Sequence, residues 1–155
     1  MRRSWPRVEA PGVQAVSGDL TCEPVHVFAS MEVRAPLDPG HIILVALDGR
    51  PLSASRRLLL QVMSEERATG FATEPAGAGR LRILDIGRGP WQVRRLAGHV
   101  SLTRVASGAV TVQALDASGR RTGRSWPGPS WDLEPHTVYY LIEIGPSEGD
   151  AARSP

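Results

Sequence analysis

The chain has 155 residues with 18 basic and 16 acidic side chains, which gives a formal net charge of +2 at pH 7. This length suits one domain with a single buried core and is short for two ordinary domains. The two signs of charge are interspersed rather than gathered into a basic stripe, so we expect no nucleic-acid partner.

Cysteine content and hydropathy exclude several other classes. The single cysteine, Cys22, allows no internal disulfide and has no second thiol at zinc-site spacing, so we expect it to serve as a small apolar residue. Residues 1–6 carry the charge of a signal peptide's first region, but no sustained apolar run follows, so we expect no signal peptide. No window approaches the roughly 20 apolar residues that span a bilayer, so we expect no membrane partner. The localisation is left open, and an extracellular or periplasmic protein would need an upstream address segment.

The two ends differ in composition from the rest of the chain. Residues 1–18 are rich in Pro, Gly and Ser with little periodicity and predict an irregular segment, while residues 145–155 have the composition of a flexible tail. Between them, over residues 19–144, short apolar or alternating runs predict eight strands, near 25–33, 41–47, 58–64, 81–86, 92–95, 99–105, 109–115 and 137–144. Short strands at this spacing are typical of an all-β fold, an antiparallel β-sandwich.

Turn residues separate the predicted strands and indicate mainly antiparallel neighbours. Asp48-Gly49 favours a tight type I′ turn, and a Gly-containing loop at 117–121 would connect a second hairpin. Asp48, Asp85 and Asp116 all occur beside turns, where an Asp side chain commonly accepts hydrogen bonds from its own backbone. We therefore assign these three carboxylates to turns.

The run over residues 54–66 admits a second interpretation. Leu58, Leu59, Val62 and Met63 would form one stripe of a helix, and the segment is rich in good helix formers. The Asp-Gly turn before it and the Thr-Gly pair after it favour a buried strand instead.

Particular sequence words carry a family resemblance. They are Leu47-Asp-Gly-Arg-Pro-Leu52, Ser55-Arg-Arg-Leu-Leu-Leu-Gln-Val-Met-Ser64, Thr69-Gly70 and Ile86-Gly-Arg-Gly-Pro-Trp-Gln-Val93. In this order they resemble the C-terminal β-sandwich region of large bacterial proteins related to glycoside hydrolases, where it follows a catalytic (β/α) barrel. The resemblance runs from about residue 14 to 144. It implies an accessory domain, since the barrel that would carry the catalytic carboxylates lies outside such a region.

Carboxylates and serines give no convincing catalytic pattern. Glu65 and Glu66 are adjacent, and neighbours on a strand point to opposite faces, so they are poorly placed to flank one glycosidic bond. We interpret them as solvated charges at a strand end. Ser, His and Asp all occur, but the nucleophile-elbow word Gly-x-Ser-x-Gly does not, which argues against a hydrolytic triad without excluding one.

Metal and phosphate sites are equally unsupported. The four histidines, His26, His41, His99 and His136, are too far apart to suggest a local metal site and are interpreted as ordinary strand or loop residues. The glycine-rich stretch 75–80 lacks the Gly-Lys-Ser/Thr word of a phosphate loop. We therefore predict no cofactor, no metal and no catalytic residue.

Tryptophans are the best candidates for ligand contact, because flat rings stack on the C–H faces of sugars. Trp126 and Trp131 flank a stretch with the composition of a loop, which could present both rings to a polysaccharide or oligosaccharide. Either ring could instead pack on the sandwich. Trp91 belongs to the family wording and is predicted to pack in the core or against a neighbouring domain.

Two functions remain open on this basis. The first is a non-catalytic accessory module of a carbohydrate-active protein that binds sugar through Trp126 and Trp131. The second is a structural or protein-interaction β-sandwich that braces the catalytic (β/α) barrel of a parent protein, which an exposed apolar patch on one sheet face would favour. An independent hydrolase would need a pocket with converging titratable groups.

Overall fold

The computed structural model describes residues 6–103, 105–106 and 108–146. Within these ranges the chain forms fifteen strands and no helix, and hence no helix that could span a membrane. The strands are β1 (Arg7–Ala10), β2 (Val13–Gly18), β3 (Val25–Val27), β4 (Met31–Arg34), β5 (Gly40–Ala46), β6 (Arg57–Met63), β7 (Glu66–Thr69), β8 (Ala72–Pro75), β9 (Leu81–Asp85), β10 (Arg88–Val93), β11 (His99–Leu102), β12 (Val110–Leu115), β13 (Arg121–Pro127), β14 (Ser130–Asp132) and β15 (Tyr139–Ile144). The predicted all-β, sandwich-like fold is confirmed, with more strands than the eight predicted.

Two sheets form the body of the domain. The larger has seven strands in the order β1-β2-β5-β6-β15-β12-β13, and the smaller has four in the order β14-β11-β4-β3. All their pairings are antiparallel, as predicted. One hydrophobic cluster contains residues of both sheets, so the core lies between their inner faces in a sandwich-like arrangement.

The register explains why this core is continuous. On the larger sheet Ile42 lies opposite both Val16 and Val62, and on the smaller sheet Val100 lies opposite both Val33 and Trp131. All of these side chains are buried, while their neighbours along each strand point to the other face. Branched and aromatic side chains at alternate positions therefore form cross-strand rows that fill the space between the sheets.

Residues 66–93 form a separate feature, which we call the arm. The chain leaves the larger sheet after β6, forms a ribbon of β7 with β10, and encloses within it a second ribbon of β8 with β9. Most side chains of the arm are exposed, and Ala68 is its one buried residue. A two-stranded ribbon has no second layer, so it cannot bury its own apolar side chains.

The N-terminal segment differs from its prediction. Residues 7–18 form β1 and β2 rather than an irregular segment, and β2 pairs with β5 inside the larger sheet. The reason is burial, since Gln14 and Val16 point inward and β5 satisfies the backbone of β2. Of the predicted C-terminal tail, only Gly145 and Pro146 lie among the described residues.

The predicted strand at 25–33 is also corrected. It is a hairpin of β3 and β4, in which the Phe28 amide donates a hydrogen bond to the Met31 carbonyl across the turn. The other seven predicted strands correspond to β5, β6, β9, β10, β11, β12 and β15, with ends that differ by a few residues. The helix alternative for 54–66 is wrong, because β6 pairs with β5 on one side and β15 on the other.

The first predicted hairpin turn is wrong in its length. Ten residues, 47–56, connect β5 to β6 where a two-residue Asp-Gly turn was predicted. The connection folds back to bury Leu52, whose amide donates to the Pro11 carbonyl at 2.7 Å. Asp48 closes the loop by accepting a hydrogen bond from the Arg56 amide at 2.9 Å, and this bond is the main cause that lowers the pKa of Asp48 to about 2.

The other turn assignments are confirmed. Asp116 accepts hydrogen bonds from the Ser118 and Arg120 amides in the loop between β12 and β13, and Asp85 accepts one from the Gly87 amide. Each carboxylate stabilises a local turn rather than pointing into a cleft.

Tyr140 gives a testable consequence of this core. It is fully buried, its hydroxyl oxygen accepts a hydrogen bond from the Glu134 amide at 2.7 Å, and burial raises its pKa from 10.0 to about 12. The folded state therefore disfavours the phenolate. The stability that this one group contributes is fully present below pH 10 and is lost as the pH rises through 12. We expect the free energy of unfolding to fall by about 3 kcal/mol over that window through this one group.

Urea titrations between pH 9 and 12 measure this effect against Tyr140→Phe. The variant should be less stable at pH 7 by about 1–3 kcal/mol, because the Glu134 amide loses its acceptor. Its stability should nevertheless fall less steeply at alkaline pH. Parallel pH profiles for the two proteins would show that Tyr140 ionises without a folding cost.

Candidate functional site

Trp126 and Trp131, the predicted sugar-binding residues, pack on the core. Trp131 is only 3% exposed, and both rings lie with their centroids 6.0 Å from the ring of Tyr140. The stretch interpreted as a loop is the end of β13, a short turn and β14, and the half-buried Trp126 lies opposite Val112 in the register. Of the two alternatives left open for these rings, Trp131 packs in the core and is not presented to solvent, while sugar contact through the half-buried Trp126 stays a prediction.

Trp91 is the exposed tryptophan of the described chain, with 67% of its surface accessible. It lies on β10 in the arm, opposite Ala68 of β7. The predicted packing in the core is wrong, because Trp91 is exposed and does not belong to the core cluster that lies between the two sheets. The predicted packing against a neighbouring domain stays a prediction.

The arm contains a groove of about 590 Å³, lined by residues of both ribbons. Its apolar lining residues are Ala68, Phe71, Leu81, Ile83, Ile86 and Trp91. Among the described residues, six of the nine exposed large hydrophobic side chains belong to the arm: Leu81, Ile83, Leu84, Ile86, Trp91 and Val93. A concentration of exposed apolar surface on one element is typical of binding surfaces. We call this feature the arm groove.

Charged residues form one rim of the arm groove. Glu65 pairs with Arg67 and, at 2.8 Å, with Arg94, and the hydrogen bond from Arg67 is the main cause that lowers the pKa of Glu65. Arg67 also lies with its guanidinium 5.7 Å from the centre of the Phe71 ring. Glu65 is therefore ion-paired, and it lines the groove together with Glu66. An apolar floor with a charged rim has the anatomy of a protein interface.

A second apolar surface lies on the outer face of the larger sheet. Val13, Val45, Leu59 and Leu141 form one cross-strand row there, pointing away from the core cluster. Leu141 is buried, and the other three side chains are partly exposed. The outer face of the larger sheet therefore carries an apolar row that is partly accessible to solvent.

A polar cluster that the sequence did not predict lies on the outer face of the smaller sheet. Ser130 Oγ is 2.7 Å from His99 Nε2, and His99 Nδ1 is 2.7 Å from Asp132 Oδ1. Ser101 Oγ lies 2.9 Å from Ser130 Oγ and 3.5 Å from His99 Nε2. We call Ser130, His99 and Asp132 the Ser130 cluster. The sequence predicted no catalytic residue, and it did not indicate that these three side chains lie within hydrogen-bond distance of one another.

Strand pairing explains the cluster. His99 lies opposite Asp132 and Ser101 lies opposite Ser130, on β11 and β14. A signal did exist, since His99-x-Ser101 and Ser130-x-Asp132 each place two polar residues on one strand face. The pairing itself could not be read from sequence, because residues 126–131 have the composition of a loop and β11 lies about 30 residues away in the chain.

The remaining histidines form no such group. His26 is buried, its Nε2 has no hydrogen-bond partner among the described residues, and desolvation lowers its pKa. His41 Nδ1 lies 2.6 Å from Ser17 Oγ, and His136 is exposed. In residues 6–103, 105–106 and 108–146, no three His, Cys, Asp or Glu side chains are placed to share a metal ion.

Cys22 differs from its prediction. It is exposed, and its Sγ lies 3.8 Å from Asp19 Oδ2. It therefore does not serve as a packed apolar residue, because it lies in the irregular connection between β2 and β3 and not on a strand with an inner face.

Comparisons of this chain with protein-family models, with curated proteins and with solved structures find no match. The resemblance to the sandwich regions of glycoside-hydrolase-related proteins therefore stays a prediction.

Proposed function

We propose that this domain is an accessory interaction module that binds a partner protein through the arm groove. The observation that supports it is the arm itself, a pair of ribbons whose large apolar side chains are exposed around a groove of about 590 Å³. Leaving these side chains in water costs free energy that a partner would recover, at about 25 cal/mol per Å² of apolar surface buried.

The lining favours a protein over a sugar. Leu81, Ile83 and Ile86 present branched aliphatic groups, which complement apolar side chains but offer nothing to the hydroxyls of a sugar. Trp91 provides a large aromatic anchor of the kind that dominates protein interfaces, and Arg67 lies at the rim. The apolar row on the outer face of the larger sheet supports the same class of function.

The partner we propose is the catalytic (β/α) barrel of a parent carbohydrate-active protein. This choice rests on the family resemblance of the sequence words, and the arm carries two of them, Thr69-Gly70 and the stretch 86–93. A domain that braces a barrel needs a rigid apolar contact rather than a catalytic cleft.

Site-specific photocrosslinking tests this proposal with a control on the same strand. Ile83 lines the groove and Leu84 is not among the lining residues, although the exposed fractions of the two side chains are similar, at 56% and 60%. A benzoylphenylalanine at position 83, in cells that express the native partner genes, should give one discrete adduct, and at position 84 it should not. The adduct should map to a barrel domain. Equal labelling from both positions would contradict the proposal.

The captured partner then gives a quantitative test. Ile83→Glu should weaken binding at least about tenfold, since it places an unpaired charge in the contact. Leu84→Glu should leave the affinity unchanged. Both residues are exposed, so both variants should keep their stability within about 0.5 kcal/mol.

A second candidate, sugar binding, is favoured only by the exposed ring of Trp91. If this ring is a stacking platform, insoluble polysaccharides should deplete the protein from solution, Trp91→Ala should abolish the depletion, and Leu84→Ala should not. Binding that survives Trp91→Ala would exclude the ring as the sugar site.

A further inference from the structure

The Ser130 cluster lies outside the arm and takes no part in the function proposed above. Its three side chains make an unbroken series of hydrogen-bond contacts, from the Asp132 carboxylate through the His99 imidazole to the Ser130 hydroxyl, with both spacings at 2.7 Å. An ionised carboxylate only accepts, so Nδ1 of a neutral His99 carries the proton toward Asp132. The lone pair of Nε2 is then left to accept the Ser130 proton. This is the arrangement that activates a serine as a nucleophile.

The sheet holds this arrangement from below. Trp131, between Ser130 and Asp132, and Val100, between His99 and Ser101, are both buried in the core and lie opposite each other. The cluster residues therefore stand on a part of the backbone that is anchored on its inner side. Sites built on strands that are fixed in this way keep their geometry better than sites on loops.

The hydrogen-bond pattern brings the side chains of the cluster close together. The Leu133 amide donates to the Gly98 carbonyl and the Leu102 amide donates to the Pro129 carbonyl. By the alternation of an antiparallel ladder, the His99–Asp132 and Ser101–Ser130 pairs are then non-hydrogen-bonded pairs, in which side chains approach most closely.

The same pattern supplies a donor for a developing negative charge. In a non-hydrogen-bonded pair the amide points away from the partner strand, and β14 is the last strand of its sheet. The Ser130 amide therefore points to the open edge beside its own hydroxyl. A carbonyl oxygen bound at Ser130 Oγ can accept from this amide, which is one half of an oxyanion hole.

We propose that Ser130 is an acyl-acceptor site for small activated acyl donors, such as aryl esters and thioesters. Ser130 Oγ attacks the carbonyl carbon while its proton passes to His99 Nε2, and the bond from that carbon to the leaving oxygen or sulfur breaks. The leaving group takes the proton from the imidazolium, so the products are an ester on Ser130 and the free alcohol or thiol. Water, activated by the same imidazole, releases the acid and restores Ser130.

Exposure decides the kind of donor. His99 keeps 47% of its side-chain surface accessible and Asp132 keeps 87%, on an open sheet face. Such a face offers no walls to orient a long acyl chain, so small donors with good leaving groups are the class that can react. By register Arg34 lies opposite His99 and Glu32 opposite Ser101 on β4, which adds a charge of each sign to this face.

Incubation of the full chain with p-nitrophenyl acetate, followed by peptide mass spectrometry, tests the proposal. Ser130 should be acetylated about 100-fold faster than Ser118, an exposed serine in a turn whose hydroxyl has no hydrogen bond to an imidazole in the described part of the chain. His99→Ala should bring Ser130 down to the rate of Ser118, and Asp132→Asn should slow it at least about tenfold. In Ser101→Ala the adduct should stay on Ser130.

The alternative outcomes are distinct. Equal rates at Ser130 and Ser118, or a rate at Ser130 that survives His99→Ala, would overturn the proposal and leave the cluster as a structural cross-strand contact. Circular dichroism separates loss of reactivity from loss of fold, and His99→Gln provides a second variant that keeps a polar side chain at this position. None of these substitutions touches the arm groove, so failure here leaves the proposed protein interaction standing.

Discussion

Trp131→Ala is expected to lower the free energy of unfolding by about 3–5 kcal/mol. The indole is 3% exposed, lies opposite Val100 in the smaller sheet and packs against the ring of Tyr140 from the larger sheet. Its removal would leave a cavity where the two sheets meet, because backbone held in a ladder cannot collapse into the space. Urea unfolding followed by circular dichroism measures the loss.

Two companion variants make this result specific. Trp91→Ala removes the same ring from the exposed arm and should change stability by no more than about 0.5 kcal/mol. Trp131→Phe should cost far less than Trp131→Ala, because the indole Nε1 has no hydrogen-bond partner among the described residues and most of the ring volume is kept. Similar losses for Trp91→Ala and Trp131→Ala would show that burial does not distinguish these two tryptophans.

Gly98→Ala is expected to destabilise the domain by about 2–6 kcal/mol, the sum of backbone strain and overpacking. A Cβ at this position would lie 2.4 Å from the Arg34 carbonyl oxygen and 2.9 Å from the Ala35 Cβ, and the φ of Gly98 is +151°. The residue precedes β11, and its carbonyl accepts the hydrogen bond from the Leu133 amide. The substitution therefore forces β11 away from β4 at the point where β14 is also attached.

Gly12→Ala is the matched control for this substitution. A Cβ at Gly12 would meet no atom within 4 Å, and its φ lies outside the left-handed region. Alanine there restricts the unfolded chain without a clash, so stability should be unchanged or rise by about 0.4–1 kcal/mol. Urea midpoints of the two variants measure the difference, and a loss at Gly98 no larger than that at Gly12 would mean that β11 can move without cost.

Gly98→Ala also bears on the Ser130 cluster. His99 follows Gly98 directly, and a shift of β11 would change the 2.7 Å contacts of His99 with Ser130 and Asp132. Under conditions where the variant stays folded, acetylation of Ser130 should slow, because His99 would no longer lie at hydrogen-bond distance from Ser130 and Asp132. Binding through the arm groove should be unaffected.

Local signals were sufficient for much of the fold. Alternating or continuous apolar runs bounded by turn residues predicted β5, β6, β12 and β15, which are four consecutive strands of the larger sheet. Turn chemistry placed Asp85 and Asp116 correctly, because an Asp side chain that bonds amides a few residues away acts within the turn itself. These features depend on interactions between residues close in the chain.

The failures have a different physical origin. The N-terminal stretch has a poor strand composition, yet it pairs with β5 because its inward residues can be buried there. The stretch around Trp126 and Trp131 has the composition of a loop, yet its alternate residues complete the core. In both cases tertiary burial outweighed local preference.

Sequence by itself determined that this chain is all-β, where most central strands run, and which Asp residues close turns, since periodicity of two and turn propensity are properties of short segments. Only the tertiary structure decided that Trp131 is buried and Trp91 exposed, and that His99 meets Asp132 and Ser130. The physical reason is that a strand's alternation defines two faces without saying which one another layer will cover, or which distant strand will lie beside it.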